Sequence, residues 1–206
     1  ETIRIKLGFN PTQSGNPVIR ANGPYDLVLE GKSFLSLDAD DSVEVRWMTD
    51  RYQILHDGQA WVVEQAPRFV ARKPSLPSSQ TNSASTAPII FRIDNWNRPP
   101  AWNPSLNDNE FRGTLEIREV DNALVVINEL PMEHYLRGIA EVANADPREK
   151  IRTLMVIART YARYYLTEEE KFPGKPYHLS DNPDESQKYL GYGFEKRAPA
   201  IVQAVS

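Results

Sequence analysis

The segment from Asp146 to Tyr165 carries the pattern that most constrains how this chain can fold. Asp146, Pro147 and Glu149 together resemble a helix start, with an N-cap aspartate, a proline at the first helical position and a glutamate three residues after the cap. Apolar residues then recur at helical spacing: Ile151, Leu154, Met155, Ala158, Tyr161, Ala162 and Tyr165. Phe172-Pro173-Gly174 stops any continuation. The sequence therefore predicts one long helix with a face that must be buried.

A β-hairpin and a short helix are predicted before this long helix. Phe111–Arg118 and Ala123–Asn128 have the composition of strands, and Asp121-Asn122 is suited to the turn that joins them. A short helix then opens at Leu130–Glu133, with Pro131 suited to a first helical position, and ends near Gly138.

The N-terminal region is predicted to be rich in β-strands. Ile3, Ile5 and Leu7 alternate with basic residues, which is the period of a half-buried strand. Further strand-like segments follow, separated by turn-forming residues: Tyr25–Leu29, Val43–Trp47, Tyr52–Leu55, Trp61–Val63 and Ile89–Ile93.

These patterns predict an α+β fold with three parts. A small β-rich region spans residues 1–72, and a Ser/Thr/Pro-rich linker or loop spans 73–88. A mixed α/β region with the hairpin and the long helix spans 89–206. The first part is either a separate interaction domain or one side of an integrated unit. Two tryptophans in the loop that follows the last N-terminal strand, Trp96 and Trp102, either stack on sugar rings or cap the core.

The composition excludes several classes of function. The chain has 206 residues, no cysteine and a net charge of −4, from 24 basic and 28 acidic side chains. Nucleic acid is not an expected partner, since proteins that bind nucleic acid usually present a basic face. Disulfides and thiolate metal sites are excluded. No apolar run approaches the roughly 20 residues that span a bilayer. We expect a fragment whose export signal or anchor lies outside this sequence.

Four motifs in the second half occur in an order that resembles a known family. They are Phe111-Arg112-Gly113, Val125-Val126-Ile127-Asn128 followed by Leu130-Pro131-Met132-Glu133-His134-Tyr135-Leu136-Arg137-Gly138, Ala158-Arg159-Thr160-Tyr161, and Ser186-Gln187-Lys188-Tyr189-Leu190-Gly191. This order resembles the SpoIID/LytB family, which comprises stage II sporulation protein D and the amidase enhancer LytB. The resemblance extends to the end of the chain, where we expect the family region to be truncated.

The resemblance implies a groove that holds a peptidoglycan glycan strand, outside the cytoplasmic membrane, in the cell envelope or secreted. Sporulation members of the family are lytic transglycosylases, whereas LytB-type members stimulate a cell-wall amidase. The two activities give two hypotheses. The first is a lytic transglycosylase, and the alternative is a non-catalytic glycan-binding module that enhances or localises an amidase.

Glu141 is the candidate catalytic residue that the resemblance implies. A lytic transglycosylase can use one glutamate as acid and then as base, because the sugar's own hydroxyl closes an anhydro ring. Such a glutamate needs a raised pKa, and the apolar sequence neighbours of Glu141 favour one. Asp146 and Glu149 are nearby alternatives. The chain departs from the family in two places: Glu141 lies about two residues nearer the preceding glycine, and Leu154 replaces a glutamine.

Four further residues are candidates for glycan binding. Arg159 could bind a glycan carboxylate with both arms of its guanidinium, or form a structural salt bridge. The polar groups of Ser186, Gln187 and Tyr189 could bind sugar hydroxyls, or hold their own loop closed. Some family members bind zinc through Cys and His near this motif, but this chain has serines at those positions. We therefore expect no metal and no cofactor.

Overall fold

The computed structural model describes residues 1–72, 87–100 and 102–205. Strands in these ranges are β1 (Thr2–Leu7), β2 (Val18–Ala21), β3 (Tyr25–Leu29), β4 (Lys32–Leu37), β5 (Ser42–Met48), β6 (Arg51–His56), β7 (Gln59–Val63), β8 (Arg68–Ala71), β9 (Phe91–Ile93), β10 (Glu110–Phe111), β11 (Thr114–Val120), β12 (Ala123–Pro131) and β13 (Leu179–Ser180). Helices are α1 (Pro11–Ser14), α2 (Met132–Arg137), α3 (Arg148–Thr167), α4 (Gly191–Arg197) and α5 (Pro199–Val205). The predicted linker falls mainly on residues 73–86, which lie outside the described ranges.

The strands form two sheets, and the predicted α+β fold is confirmed. One sheet has the order β13-β1-β12-β11-β8-β3-β4, and the other has the order β10-β9-β2-β5-β6-β7. Strand β1 pairs with β12 over its whole length, and β8 pairs with β11. Strands from residues 1–72 and 89–206 therefore lie in one sheet. The hypothesis that residues 1–72 form a separate interaction domain stays a prediction.

The predicted hairpin is confirmed, and its first strand starts later than expected. Asp121 and Asn122 both have positive φ angles, of 54° and 64°, which suits a two-residue hairpin turn. Gly113 also has a positive φ, of 81°, and a Cβ there would lie 2.3 Å from the carbonyl oxygen of Glu129. The chain changes sheet at this glycine, so the predicted strand Phe111–Arg118 is divided between β10 and β11.

Helix α3 buries the predicted face, but its predicted cap is wrong by one residue. Ile151, Met155, Ala158 and Ala162 are buried. Pro147 is the N-cap, with a ψ of 138°, so Asp146 lies outside the helix and its side chain makes no cap bond. Instead, the Asp146 carboxylate accepts a hydrogen bond from the Ala143 amide (2.9 Å) and pairs with Lys150 (2.9 Å).

The start of α2 also differs from the prediction. Pro131 ends β12 and is the N-cap of α2, with an extended ψ of 145°, so Met132 is the first helical residue. The helix ends at Gly138, as predicted. No helix in the part of the chain that the structure describes is long and apolar enough to cross a membrane.

A row of charged side chains crosses four neighbouring strands of the larger sheet. Arg4 on β1 contacts Glu129 on β12, and its other amino group lies 2.9 Å from Glu116 on β11. Arg68 on β8 lies 2.9 Å from Glu129. The Glu116 side chain is only 3% exposed. Removal of one partner from such a network is costly, because it leaves the other charge without compensation.

We expect Glu129→Gln to lower the free energy of unfolding by about 1–3 kcal/mol at pH 7. Burial raises the pKa of Glu129, but hydrogen bonds and charge from Arg68 and Arg4 outweigh burial and lower that pKa below its ordinary value. The stabilisation that ionised Glu129 contributes is complete above the ordinary pKa of glutamate. It is lost as the pH falls through the lowered pKa of Glu129. Urea unfolding between pH 7 and pH 3 measures it.

The control for this prediction is Glu64→Gln, because the Glu64 side chain is 73% exposed and lies 4.0 Å from Arg51. It should change stability little at any pH. A difference between Glu129→Gln and the wild type that stays constant from pH 7 to pH 3 would contradict the assignment.

Candidate functional site

The loop that carries Glu141 is held against a second segment of the chain. Ile139 forms an antiparallel bridge with Tyr189. The Ala140 amide donates to the Lys188 carbonyl (2.8 Å), and the Leu190 amide donates to the carbonyl of the residue before Ile139 (2.9 Å). The Lys188 amide in turn donates to the Glu141 carboxylate. Two motifs that lie about 50 residues apart in sequence therefore form one short ladder beside Glu141.

A buried hydrogen-bonded cluster lies beneath this ladder. The Tyr189 hydroxyl donates to Asn128 Oδ1 (2.8 Å), and Asn128 Nδ2 donates to the Arg112 carbonyl (2.8 Å). The Tyr135 hydroxyl donates to Gln187 Oε1 (3.0 Å). Burial raises the pKa of both tyrosines well above the ordinary value, so both hydroxyls stay protonated donors. The polar residues of the predicted motifs thus connect β12, α2 and the ladder.

Glu141 lies on the wall of a groove of about 800 Å³. One wall consists of residues 140–146 together with side chains from residues 183–197. The lining also includes Arg98, Pro99, Pro100, Trp102 and Asp108. The groove therefore combines the Glu141 loop with the tryptophan-bearing loop that precedes the hairpin.

The surroundings of Glu141 differ from the sequence expectation. Its side chain is exposed, while Ile139 and Val142 are buried, at 0% and 5% exposure. Ile139 and Val142 belong to the core and leave the carboxylate exposed, so these two apolar neighbours do not enclose it. Of the two alternatives, Asp146 also lines the groove. Hydrogen bonds from Lys150 and the Ala143 amide lower the pKa of Asp146, which disfavours the protonated form that a general acid needs.

The other four predicted residues lie outside the groove lining. Arg159 forms a two-armed ion pair with Glu133 of α2, with one N–O distance of 2.7 Å. The hydrogen bonds of this pair raise the pKa of Arg159 and lower the pKa of Glu133. Ser186 Oγ accepts a hydrogen bond from the Ser180 amide (3.1 Å). Gln187 and Tyr189 are buried in the cluster described above. A role in glycan binding stays a prediction for these four residues.

The two tryptophans of the loop before the hairpin have different environments. Trp96 is 7% exposed and stacks on Phe111, with ring centroids 6.0 Å apart, so the interpretation that it caps the core is confirmed. Trp102 is 72% exposed on the groove wall. Sequence composition gave the two residues the same alternatives, and only the packing around Phe111 distinguishes them.

Arg98 fixes this loop to the ladder, and sequence analysis missed it. Its guanidinium lies 3.0 Å from Asp181 Oδ2, donates to the Tyr189 carbonyl (3.0 Å) and lies over the Trp96 ring at 4.8 Å. Asp181 is 2% exposed and also accepts from the Gly8 amide (2.9 Å). Burial raises the pKa of Asp181, although Arg98 opposes that shift. In the sequence, Arg98 precedes two prolines, and that pattern does not indicate a contact with a distant segment.

The described residues hold no group of three or more His, Asp or Glu side chains placed to bind a metal. His178 accepts a hydrogen bond at Nδ1 from the Arg4 amide (3.1 Å), which joins its segment to β1. Its role in the structure is therefore that of an acceptor between two backbone segments.

The C-terminal region is similar to a known family. Residues 120–206 match the SpoIID family model, which is described as stage II sporulation protein. The C-terminal region is therefore similar to the SpoIID family, and such a domain implies a role related to the cell wall. The match starts after Trp102 and after the Phe111-Arg112-Gly113 motif.

A curated protein of Brachyspira hyodysenteriae (strain ATCC 49526 / WA1), described as uncharacterized, is also similar. It is 32% identical over 104 residues, which cover 49% of this chain and 27% of that protein. The aligned part is thus about a quarter of the length of that relative. No solved structure matches the chain significantly.

Proposed function

We propose that this chain binds glycan strands of peptidoglycan in the groove and cleaves them as a lytic transglycosylase through Glu141. The observation that carries the proposal is the position of Glu141: a carboxylate on a groove wall built by the SpoIID-type segment. The site is expected to work outside the cytoplasmic membrane, in the cell envelope.

The proposed reaction needs one carboxyl group that changes role. Glu141 donates its proton to the glycosidic oxygen as the bond from that oxygen to the anomeric carbon breaks. The hydroxyl of the same sugar then attacks the anomeric carbon and returns its proton to Glu141, which closes the anhydro ring. The Lys188 amide holds one carboxylate oxygen, so the other oxygen is available for the glycan.

The second candidate function is a non-catalytic glycan-binding module that enhances or localises a cell-wall amidase. The exposure of Glu141 favours it, because a general acid that works near neutral pH usually lies in an apolar, desolvated site. On this hypothesis the groove still binds a glycan strand, and an amidase is the partner.

Incubation of the protein with peptide-free glycan strands tests the two functions. Mass spectrometry for anhydromuramyl products measures cleavage, and co-sedimentation with insoluble glycan measures binding. Anhydromuramyl products support the transglycosylase. Binding without product supports the non-catalytic module. Absence of both product and binding would contradict both functions.

A further inference from the structure

The groove contains an exposed aromatic side chain that the proposed chemistry does not use. Trp102 is 72% exposed, more than any other large apolar side chain in the described part of the chain. The other tryptophans each have an aromatic neighbour: Trp47 lies 4.8 Å from Tyr52, and Trp61 lies 6.0 Å from Phe34, between ring centroids. Leaving an indole in water is unfavourable, at about 25 cal/mol per Å² of apolar surface. Its position on a groove wall therefore needs an explanation.

Local hydrogen bonds restrain the described residues of the loop that carries Trp102. The Asn103 amide donates to the Pro100 carbonyl (3.0 Å), and Asn103 Oδ1 accepts from the amide and hydroxyl of Ser105 (3.0 and 2.7 Å). Asn107 Oδ1 accepts from the Arg98 amide (2.7 Å) and so closes the loop at its base. A loop that is fixed in this way presents its side chain without an ordering cost on binding.

The two ends of the loop are also fixed to the rest of the groove. Arg98 contacts Asp181 and the Tyr189 carbonyl, on the segment that holds Glu141. At the other end, Asp108 lies 2.7 Å from Arg197 of α4, and both residues line the groove. The Trp102 wall is thus fixed relative to the Glu141 wall through buried ion pairs.

We propose that Trp102 is a stacking platform for one pyranose ring of the bound glycan strand. The inference rests on the proposed function and names a subsite of the same groove. A β-linked N-acetylhexosamine carries its hydroxyl and acetamido groups around the ring edge, so its two faces expose C–H groups. These C–H groups carry a partial positive charge. They are therefore attracted to the electron-rich face of an aromatic ring such as indole. Trp102 lies before the segment that matches the SpoIID model, so the proposed subsite is on a loop outside that match.

Binding of the wild type, Trp102→Ala and Trp102→Phe to peptide-free glycan strands tests the platform. We expect Trp102→Ala to weaken binding about 10-fold, which corresponds to about 1.4 kcal/mol. Trp102→Phe should retain most of the affinity, because it keeps an aromatic face. Tyr164→Ala is the control, since Tyr164 is a 46% exposed aromatic residue of α3 outside the groove lining. It should bind as the wild type does.

Acrylamide quenching of tryptophan fluorescence gives a readout that a purely structural role would not move. We expect glycan to protect an exposed tryptophan in the wild type, and Trp102→Phe to lose that protected component. Equal binding by wild type and Trp102→Ala would overturn the platform and leave the proposed function intact. Weaker binding without any protection of Trp102 would also overturn the platform. A wild type that binds no glycan would overturn both.

Discussion

Glu141→Gln is expected to lower the rate of anhydromuramyl product formation by about a hundred-fold to ten-thousand-fold, the usual contribution of a general acid and base. Glutamine keeps the size of the side chain and an oxygen that can accept from the Lys188 amide. It cannot donate a carboxyl proton or take one back. Glycan binding should therefore remain close to that of the wild type, and the loss should fall on the chemical step. Single-turnover product formation and co-sedimentation, measured on the same preparation, separate the two.

The control for this prediction is Glu149→Gln. Glu149 lies in the first turn of α3 and outside the groove lining, so this variant should cleave as the wild type does. Cleavage by Glu141→Gln at the wild-type rate would show that the residue assignment is wrong. Weak glycan binding by Glu141→Gln would instead assign Glu141 to binding.

Gly191→Ala is expected to lower the free energy of unfolding by about 3 kcal/mol or more, since it combines backbone strain with overpacking. Gly191 has a φ of 69°, and a Cβ there would lie 2.5 Å from the Glu110 carbonyl oxygen and 2.7 Å from the Phe111 ring. Phe111 is fully buried, so neither neighbour can move into free space. Urea unfolding at pH 7 measures the loss.

Gly31→Ala is the matched control for that variant. Gly31 has a similar φ of 77°, but nothing lies within 4 Å of the position of a Cβ. It therefore shows the backbone cost alone, which we expect to be about 1–2 kcal/mol. Equal losses for the two variants would mean that the contact with Glu110 and Phe111 carries no cost.

The parts of the fold that depend on local sequence could be predicted. The hairpin turn at Asp121-Asn122 and the buried face of α3 both follow from residues close together in the chain. The pairing of β1 with β12 could not, because Ile3 and Leu130 are partners far apart in sequence. No local pattern selects one partner strand among several with the same apolar alternation.

The candidate site was predicted in part for the same reason. The motif order located Glu141 and the segment that holds it, but not the exposure of its carboxylate. That exposure depends on Val142 turning into a core assembled from distant elements. The polar motif residues Gln187 and Tyr189 have side chains suited to sugars, yet their hydrogen bonds are made inside the protein. Composition cannot distinguish a polar group that is free to bind a ligand from one that already has a hydrogen-bond partner inside the protein.

The place of β1 in the larger sheet sets the order in which this chain can mature. Strand β1 lies between β12 and β13, so both of its neighbours are synthesised more than 100 residues later. Until residues 179–180 have been synthesised, one backbone edge of β1 lacks its partner strand. Pairings of such long separation also slow folding. The larger sheet is therefore expected to be completed only after residues 179–180 have been synthesised, which makes a holding chaperone most useful before that point.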